Sequence, residues 1–369
     1  MITSSEEHQT TYPWAKYLLR SGYAALLVTY VFATAQKRSG MPRVWYGGAR
    51  VGNLGGPLVK LKRLQQYFPQ SWWRYNLVYA LSNAPYLPAP ALDWLRYRRI
   101  PIVLNQNGVF YPGWYAGDWQ RQNAVMALAY HRAHHVFWQS EFCRRSADRF
   151  LGRREGDGEV LFNAVDIDHY FPAHDRTDHS FTFLLTGKID SHLGYRLEST
   201  IEGLALARRA GLNARLNIAG WIEDATVANA MVARNSLRDY VSFLGPYSQE
   251  KAPEIYQSAD AYVMTKYLDP CPNTVIEAMA CGLPVLYSAS GGVPELVGDA
   301  AGVGLPVPED WETIHVPSAE AIAEGMLKIS RERAHMSLAA RERAVALFDI
   351  RRWIDRHRDV FDAVLRAEL

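Results

Sequence analysis

The chain has 369 residues, of which 49% are hydrophobic and 21% charged, a balance typical of globular proteins and not of disordered ones. A length above roughly 250–300 residues favours two domains over one. The three cysteines include no closely spaced pair, which argues against a disulfide framework and a cysteine zinc site. A reducing compartment, the cytoplasm, is therefore expected.

The net charge of +2 conceals an uneven distribution. Residues 1–172 carry 20 basic and 11 acidic side chains, whereas residues 173–369 carry 20 and 27. One interpretation is that two oppositely charged halves dock on each other. The other is that the first half meets an anionic partner, such as the inner face of a cell membrane. No recognition motif accompanies the basic residues, so nucleic acid is not an expected partner.

Residues 1–40 precede the first predicted strand. Their start is acidic, which does not predict a cleavable leader. The apolar run 23–35 is shorter than the roughly 20 residues that a bilayer span requires, so it predicts a buried or interfacial helix.

From there on, short apolar runs alternate with amphipathic segments. The first half contains predicted strands at 43–46, 77–81, 102–105, 136–139 and 159–162, with helices at 57–68, 120–130 and 141–150. The second half contains predicted strands at 181–186, 215–219, 240–244, 261–265 and 284–287, with helices at 196–209, 225–235, 249–258, 274–281 and from 318 onward. Two such alternations predict an α/β protein with two doubly wound, Rossmann-like domains.

The domain boundary is expected in the polar, turn-rich stretch 163–180. Residues 1–172 would form the first domain, residues 173–349 the second, and residues 350–369 a C-terminal helix able to pack back on the first. Ligands of such folds bind beyond the carboxyl ends of the strands. The expected site is therefore the cleft between the two domains.

The segment 269–282, DPCPNTVIEAMACG, follows the fourth predicted strand of the second half. Asn273 is the predicted N-cap of a helix, and the free N–H groups that follow it suit a diphosphate. Glu277 can accept hydrogen bonds from ribose hydroxyls, and Asp269 can reach a sugar beyond the phosphates. The alternative is that both acids only stabilise the helix dipole. The expected donor-binding residues here are Pro272, Asn273, Thr274, Val275 and Glu277.

This segment resembles the signature of the family-4 glycosyltransferases, an acid and a glutamate separated by seven residues and followed by A-M-A-C-G-x-P-V. The stretch GGVPE at 291–295 is similar to the family's G-G-x-x-E. Further landmarks in family order are Gly55-Gly56-Pro57, Gln139-Ser140-Glu141, the stretch 163–172 and Gly187-Lys188. The resemblance covers roughly residues 43–369. It implies the GT-B fold, donor phosphates near Gly55, Gly56 and Gly187, and transfer with retention at the anomeric carbon.

The chain departs from the family pattern at several positions. Asp269 replaces the usual glutamate, and Leu193 stands where the family has a phosphate-binding lysine. Arg196 is expected to supply the missing cation, the alternative being a surface residue at a helix start. Asn107 takes the place of a histidine and cannot shuttle a proton at neutral pH. The resemblance thus implies a catalytic set of Asp269, Lys188, Arg196 and Asn107, with neither a metal nor another cofactor.

Aromatic residues predict the acceptor side of the cleft. Tyr111 and Trp114 are suited to stacking on sugar faces, although packing alone is the alternative. A second aromatic group lies close to many basic residues and suits a membrane interface: Tyr12, Trp14, Tyr17, Trp72 and Trp73. A saccharide or lipid-linked acceptor is therefore expected.

The predicted function is a retaining hexosyltransferase that takes a sugar from a nucleotide-diphosphate donor, in cell-surface glycan synthesis. Its expected location is the cytoplasm, peripheral on the inner face of the membrane. One alternative is another enzyme on the same fold, a nucleotide-sugar epimerase or a phosphorylase. The other is a non-catalytic saccharide-binding or scaffold subunit. The departures from the family pattern at 107, 193 and 269 favour this alternative.

Overall fold

The computed structural model describes residues 13–36, 40–49, 52, 56–82, 86–173 and 180–367. Two parallel sheets, one in each half of the chain, form the framework. The first contains β1 (Val44–Trp45), β2 (Leu77–Leu81), β3 (Ile102–Gln106), β4 (His135–Trp138) and β5 (Asp157–Val160). Neighbouring strands of this sheet follow in chain order, without the reversal that marks a doubly wound sheet.

Helices cover both faces of the first sheet, because side chains of successive strand residues point to opposite faces. The helices of this half are α1 (Pro13–Thr34), α2 (Gly56–Gln65), α3 (Ala89–Tyr97), α4 (Trp119–Arg132) and α5 (Glu141–Phe150). Residues of α1, α3, α4 and α5 pack on the face that holds Val78 and Ala80. Residues of α2 pack on the face that holds Leu77 and Tyr79.

The second sheet contains six parallel strands in the order β11-β10-β9-β6-β7-β8. Its strands are β6 (Phe181–Thr186), β7 (Ala214–Ala219), β8 (Val241–Gly245), β9 (Ala261–Met264), β10 (Val285–Ala289) and β11 (Gly302–Pro306). Its helices are α6 (Tyr195–Arg209), α7 (Ala225–Arg234), α8 (Ala252–Gln257), α9 (Asn273–Ala280), α10 (Val293–Val297) and α11 (Ala319–Leu347). The strand order reverses between β6 and β9, which makes their carboxyl ends the place where such sheets bind ligands.

The last helix, α12 (Ile350–Ala367), returns to the first domain. Its Trp353, Ile354 and Phe361 are buried in the same core cluster as residues of α2 and β2. The two chain crossings between the domains lie side by side, since the N–H of Val165 donates to the carbonyl of Phe348 (2.8 Å). These two connecting segments, hydrogen-bonded to each other, therefore form the floor of the cleft.

The helix α1 spans 22 residues and is longer than the predicted 23–35. Leu27 and Val31 are buried against the first domain, whereas Tyr23 and Leu26 are 49% and 71% exposed. No helix in the described part of the chain has the length and apolar character that a membrane crossing requires.

Three elements were not predicted: α3, α10 and β11. The sequence of β11, GVGLP, contains two glycines and a proline, residues that weaken strand propensity. It forms a strand because all five of its residues pair with β10, from Gly302 against Val285 to Pro306 against Ala289.

Candidate functional site

The start of α9 is the first feature of the site. Its N-cap is Pro272, whose backbone is extended (φ −69°, ψ 122°), so Asn273 is the first helical residue and not the cap that its side chain predicted. Proline fixes φ near this value and ends the preceding loop in the extended region. No side chain caps the first turn, in which Asn273 and Thr274 are half-buried. Such uncapped N–H groups at a helix start attract anions.

Glu277 lies one turn further along α9 and is buried. Its carboxylate accepts a hydrogen bond from the Tyr256 hydroxyl (3.0 Å) and lies 3.5 Å from the Arg63 guanidinium of α2. Burial raises the pKa of Glu277, while the positive charge of Arg63 and the Tyr256 hydrogen bond oppose that rise. Since Arg63 belongs to the first domain, this ion pair crosses the cleft. A carboxylate has about four lone-pair sites, so further donors can still bind it.

Asp269 lies in the loop between β9 and α9. Its carboxylate accepts hydrogen bonds from Lys266 Nζ (2.8 Å) and the N–H of Cys271 (3.1 Å). The loop rests on Gly291 and Gly292, where an added Cβ would lie 2.5 Å and 2.0 Å from loop backbone atoms. The two glycines of the GGVPE stretch thus let the backbone after β10 support the loop that carries Asp269.

Arg196 is 3% exposed, so it is not the surface residue that the alternative interpretation described. Its guanidinium lies at the carboxyl ends of β6 and β9, where it donates to the carbonyl of Thr186 (3.3 Å) and contacts Met264 Sδ (3.8 Å). Its Nε, like the buried hydroxyl of Thr265, has no hydrogen-bond partner. A buried cation without an ion pair among the described residues is costly unless an anion joins it.

The loops after β6 and β7 meet at the same edge. Gly187 has φ +137°, and an added Cβ on Gly220 would lie 2.0 Å from the Gly187 carbonyl oxygen. Lys188 is exposed, with its Nζ 4.9 Å from the centre of the Trp221 ring. The structure therefore provides one exposed and one buried cation, Lys188 and Arg196, beside the reversal of strand order.

On the first-domain side, Asn107 lies just beyond β3. Its Oδ1 accepts hydrogen bonds from Lys60 Nζ (3.2 Å) and from the side chain of Gln139, and its N–H donates to Ser82 Oγ (2.9 Å). An added Cβ on the neighbouring Gly108 would lie 3.5 Å from the Pro270 ring. Asn107 thus belongs to a loop that approaches the Asp269 loop of the other domain.

Lys60 and Arg63 were not among the predicted site residues, although both lie in the cleft. Together with Asn273 they line a small pocket at the floor of the cleft, whose remaining walls are Asn163, Ala164, Ile350 and Trp353. The available signal was their spacing of three residues, which places two cations on one face of a helix that directly follows a glycine pair.

The expected acceptor residues have different positions. Tyr111 is 7% exposed and packs edge-on against Trp311, with ring centres 5.0 Å apart. Its ring is therefore covered and does not offer a face to a sugar, contrary to the prediction. Trp114 is 40% exposed, and its indole N–H donates to the carbonyl of Val109 (3.1 Å).

A second contact between the domains involves Glu295, the acid of the GGVPE stretch. Its two carboxylate oxygens accept hydrogen bonds from the N–H groups of Glu141 (2.6 Å) and Phe142 (2.7 Å) at the start of α5. A negative charge at a helix N-terminus is favourable. Glu295 therefore connects the second domain to the start of α5 in the first domain.

Most of the remaining predicted residues lie near the start of the chain or around the glycine pair at the start of α2. Gly55 and Tyr12 lie outside the described residues, and Gly56 begins α2. Trp14 and Tyr17 lie within α1. Of the expected donor-binding residues, Thr274 and Val275 lie in the first turn of α9, and Val275 is buried in the core.

Residues 167–344 match the protein family described as "Glycosyl transferases group 1". Among curated relatives, mannosylfructose-phosphate synthase of Agrobacterium fabrum is 28% identical over 46% of this chain and 41% of its own length. A D-inositol 3-phosphate glycosyltransferase of Mycobacteroides abscessus is 34% identical over 33% of this chain and 26% of its own length. The chain thus spans between a quarter and two fifths of these relatives.

Solved structures match over more of the chain. Sucrose-phosphate synthase from Thermosynechococcus elongatus superposes with a TM-score of 0.64 at 18% identity, over 96% of this chain and 94% of the other. Anabaena Alr3699/HepE in complex with UDP superposes with a TM-score of 0.63 at 19% identity, over 84% and 82%. The two-domain, Rossmann-like GT-B fold expected from the sequence is confirmed.

Proposed function

Because residues 167–344 place this chain in the glycosyl transferases group 1 family, we propose that it is a retaining hexosyltransferase. It moves a sugar from a nucleotide-diphosphate donor to a saccharide or lipid-linked acceptor in cell-surface glycan synthesis. The observation that carries the proposal is the pairing, on one helix, of an uncapped N-terminus for phosphates with a buried carboxylate, Glu277, for the ribose. Relatives named D-inositol 3-phosphate glycosyltransferase and, in Escherichia coli, O-antigen chain mannosyltransferase B support the same reaction class.

In this proposal the cleft works by stabilising the departing nucleoside diphosphate. The start of α9, the buried Arg196 and the exposed Lys188 lie where negative charge develops on the leaving phosphate. The bond between the anomeric carbon and the phosphate oxygen breaks, the acceptor oxygen bonds to the same face, and its proton passes to the leaving phosphate. Helix N–H groups and cations supply the charge that a metal would otherwise provide, so the proposed reaction needs no metal or other cofactor.

The donor is tested by thermal unfolding with UDP, GDP and ADP and with their hexose conjugates. A ligand at 100 times its Kd adds about 2.7 kcal/mol to the free energy of unfolding, which we expect to raise Tm by several degrees. HepE has been solved with UDP-glucose, so UDP-glucose is the first compound to test. The absence of a shift with all three nucleotides would contradict the proposal. Formation of a second nucleotide sugar without any acceptor would instead support an epimerase.

A patch on the first domain supports a peripheral position on a membrane. Trp72, Trp73 and Met41 are 58%, 65% and 86% exposed. They are neighbours because residues 41–44 run beside residues 71–76, with the Arg43 guanidinium donating to the Trp73 carbonyl (3.0 Å) and Asn76 to that of Met41 (3.2 Å). Exposed tryptophans flanked by arginine suit the interface of an anionic bilayer, where each cation contributes about 1 kcal/mol. We define the aromatic patch as Met41, Arg43, Trp72, Trp73 and Arg74.

The aromatic patch is tested by sedimentation with vesicles of phosphatidylglycerol and phosphatidylcholine at low salt. We expect the double variant Trp72→Ser/Trp73→Ser to lose most of the binding of the unaltered protein, because the rings that enter the headgroup region are gone. Leu338→Ser, which removes a 59% exposed apolar residue from α11, serves as the matched control. Equal sedimentation of both variants would contradict the assignment of the patch.

A further inference from the structure

Lys60 is a buried lysine of the first domain. It is 6% exposed, and its Nζ donates to Asn105 Oδ1 (2.6 Å) and Asn107 Oδ1 (3.2 Å). No carboxylate pairs with it among the described residues. An uncharged amine has two N–H donors, and both are used here. The charged form has three, and the third has no acceptor among the residues that the structure describes.

The titratable groups that face Lys60 are uncharged near neutral pH, with one exception. The thiols of Cys271 and Cys143 face it from the Asp269 loop and from α5, and burial raises the pKa of each to about 12. His357 of α12 is buried against Tyr79 of β2, and burial lowers the pKa of this histidine to about 3. The exception is Arg63, whose positive charge disfavours a second cation.

Burial and this surrounding lower the pKa of Lys60 to about 7. At this pKa a large part of the Lys60 population is neutral near pH 7. An anion that enters the site favours the charged amine, since an opposite charge close to an amine raises its pKa. Binding of that anion would then be accompanied by the uptake of a proton from solvent.

The position of Lys60 identifies the anion. Lys60 and Asn273 line the same pocket, and Asn273 begins the helix whose uncapped N–H groups suit a phosphate. Lys60 approaches this helix start from the opposite domain, so it can supply a positive charge to a phosphate bound there.

Resting on the proposed function, we propose that Lys60 is the first domain's cation for the donor diphosphate and that it gains a proton when the nucleotide binds. The proton comes from solvent and forms the third N–H, which donates to a phosphate oxygen. Because Lys60 also holds Asn107, nucleotide binding on one side of the cleft and the orientation of Asn107 on the other are then coupled. Lys60 is in this sense a residue that binds the leaving group as well as a positioning residue.

The test is isothermal titration with UDP, or with GDP or ADP if one of these binds more tightly, in buffers of different ionisation enthalpy. Proton uptake attributable to Lys60 is the difference between the unaltered protein and Lys60→Met, which removes the nucleotide's own ionisation from the comparison. We expect about half a proton per nucleotide at pH 7 and close to one at pH 8. Lys62→Met makes the same chemical change two residues away on α2 and should leave the uptake unchanged.

A second variant guards against loss of folding in Lys60→Met. Lys60→Arg keeps a cation that does not titrate, so we expect it to bind the nucleotide without the proton uptake. Nucleotide binding with the same uptake in the unaltered protein and in either Lys60 variant would overturn the role of Lys60 while leaving the proposed function intact. Absence of binding by all three nucleotides would overturn both.

Discussion

Replacement of Glu277 by alanine is expected to lower kcat/KM for sugar transfer by about 100-fold or more and to weaken nucleotide binding. In the proposed function this carboxylate accepts two hydrogen bonds from a ribose, and each hydrogen bond to a charged group contributes about 1.5–3 kcal/mol. The measurements are the rate of donor hydrolysis or transfer and the Kd of the nucleoside diphosphate. This result would also exclude a non-catalytic scaffold, since a scaffold has no rate to lose.

The loss of Glu277 also leaves the Tyr256 hydroxyl and the Arg63 guanidinium without their partner. A reduced Tm would then accompany the reduced rate, and the two effects must be separated. Glu277→Gln keeps the shape of the side chain and an acceptor for Tyr256 while removing the charge, so it should unfold nearer to the unaltered protein and still bind nucleotide poorly. Glu324→Ala removes an exposed carboxylate from α11 and is the control. An unchanged Kd in Glu277→Gln would contradict a ribose contact through the carboxylate.

Replacement of Arg196 by methionine is expected to lower kcat by about 100-fold, the effect typical of removing one preorganised donor from a leaving-group site. The same replacement is not expected to lower Tm, although it lowers kcat. Arg196 is 3% exposed, has no ion pair among the described residues and leaves its Nε without a partner. An apolar residue of similar length removes that desolvation cost, so Tm should stay the same or rise. Steady-state kinetics and thermal unfolding of one protein preparation measure both.

Arg208→Met on the same helix is the matched control. Arg208 packs its guanidinium against the Tyr240 ring and donates to the carbonyl of Ala214, contacts that serve the fold alone. We expect this variant to unfold at a lower temperature with kcat unchanged. If Arg196→Met lost stability in the same way and kept its rate, Arg196 would have to be regarded as a structural residue.

Two contacts between the domains hold the residues of the cleft close together. Glu295 accepts hydrogen bonds from the start of α5, and Glu277 is paired with Arg63. Both glutamates belong to the second domain, and both partners belong to the first. A nucleotide whose ribose binds Glu277 would compete with Arg63 for that carboxylate, whereas the Glu295 contact would persist. The cleft therefore has one contact that donor binding can exchange and one that it leaves in place.

Much of this arrangement was accessible from the order of residue types. The strands at 77–81 and 181–186 and the helix at 141–150 have the predicted bounds, because their apolar periodicity is unbroken. The segment 269–282 was identified as loop and helix, since its turn residues and its final Gly282, at φ +75°, are local signals. Asn273 as N-cap was wrong by one residue, because the extended backbone of Pro272 took that position.

What the sequence by itself determined is therefore the α/β alternation, the presence of two domains and the position of helix α9, all of which depend on residues close together in the chain. The tertiary structure alone decided which side chains share an environment. It covered Tyr111 with Trp311, buried Arg196 at the ends of two strands and brought Lys60 and Arg63 across to α9. Charge pairing joins residues as distant in the chain as Arg63 and Glu277, which are 214 positions apart. No local pattern encodes such a distance, so the electrostatics of the cleft became visible only in the folded chain.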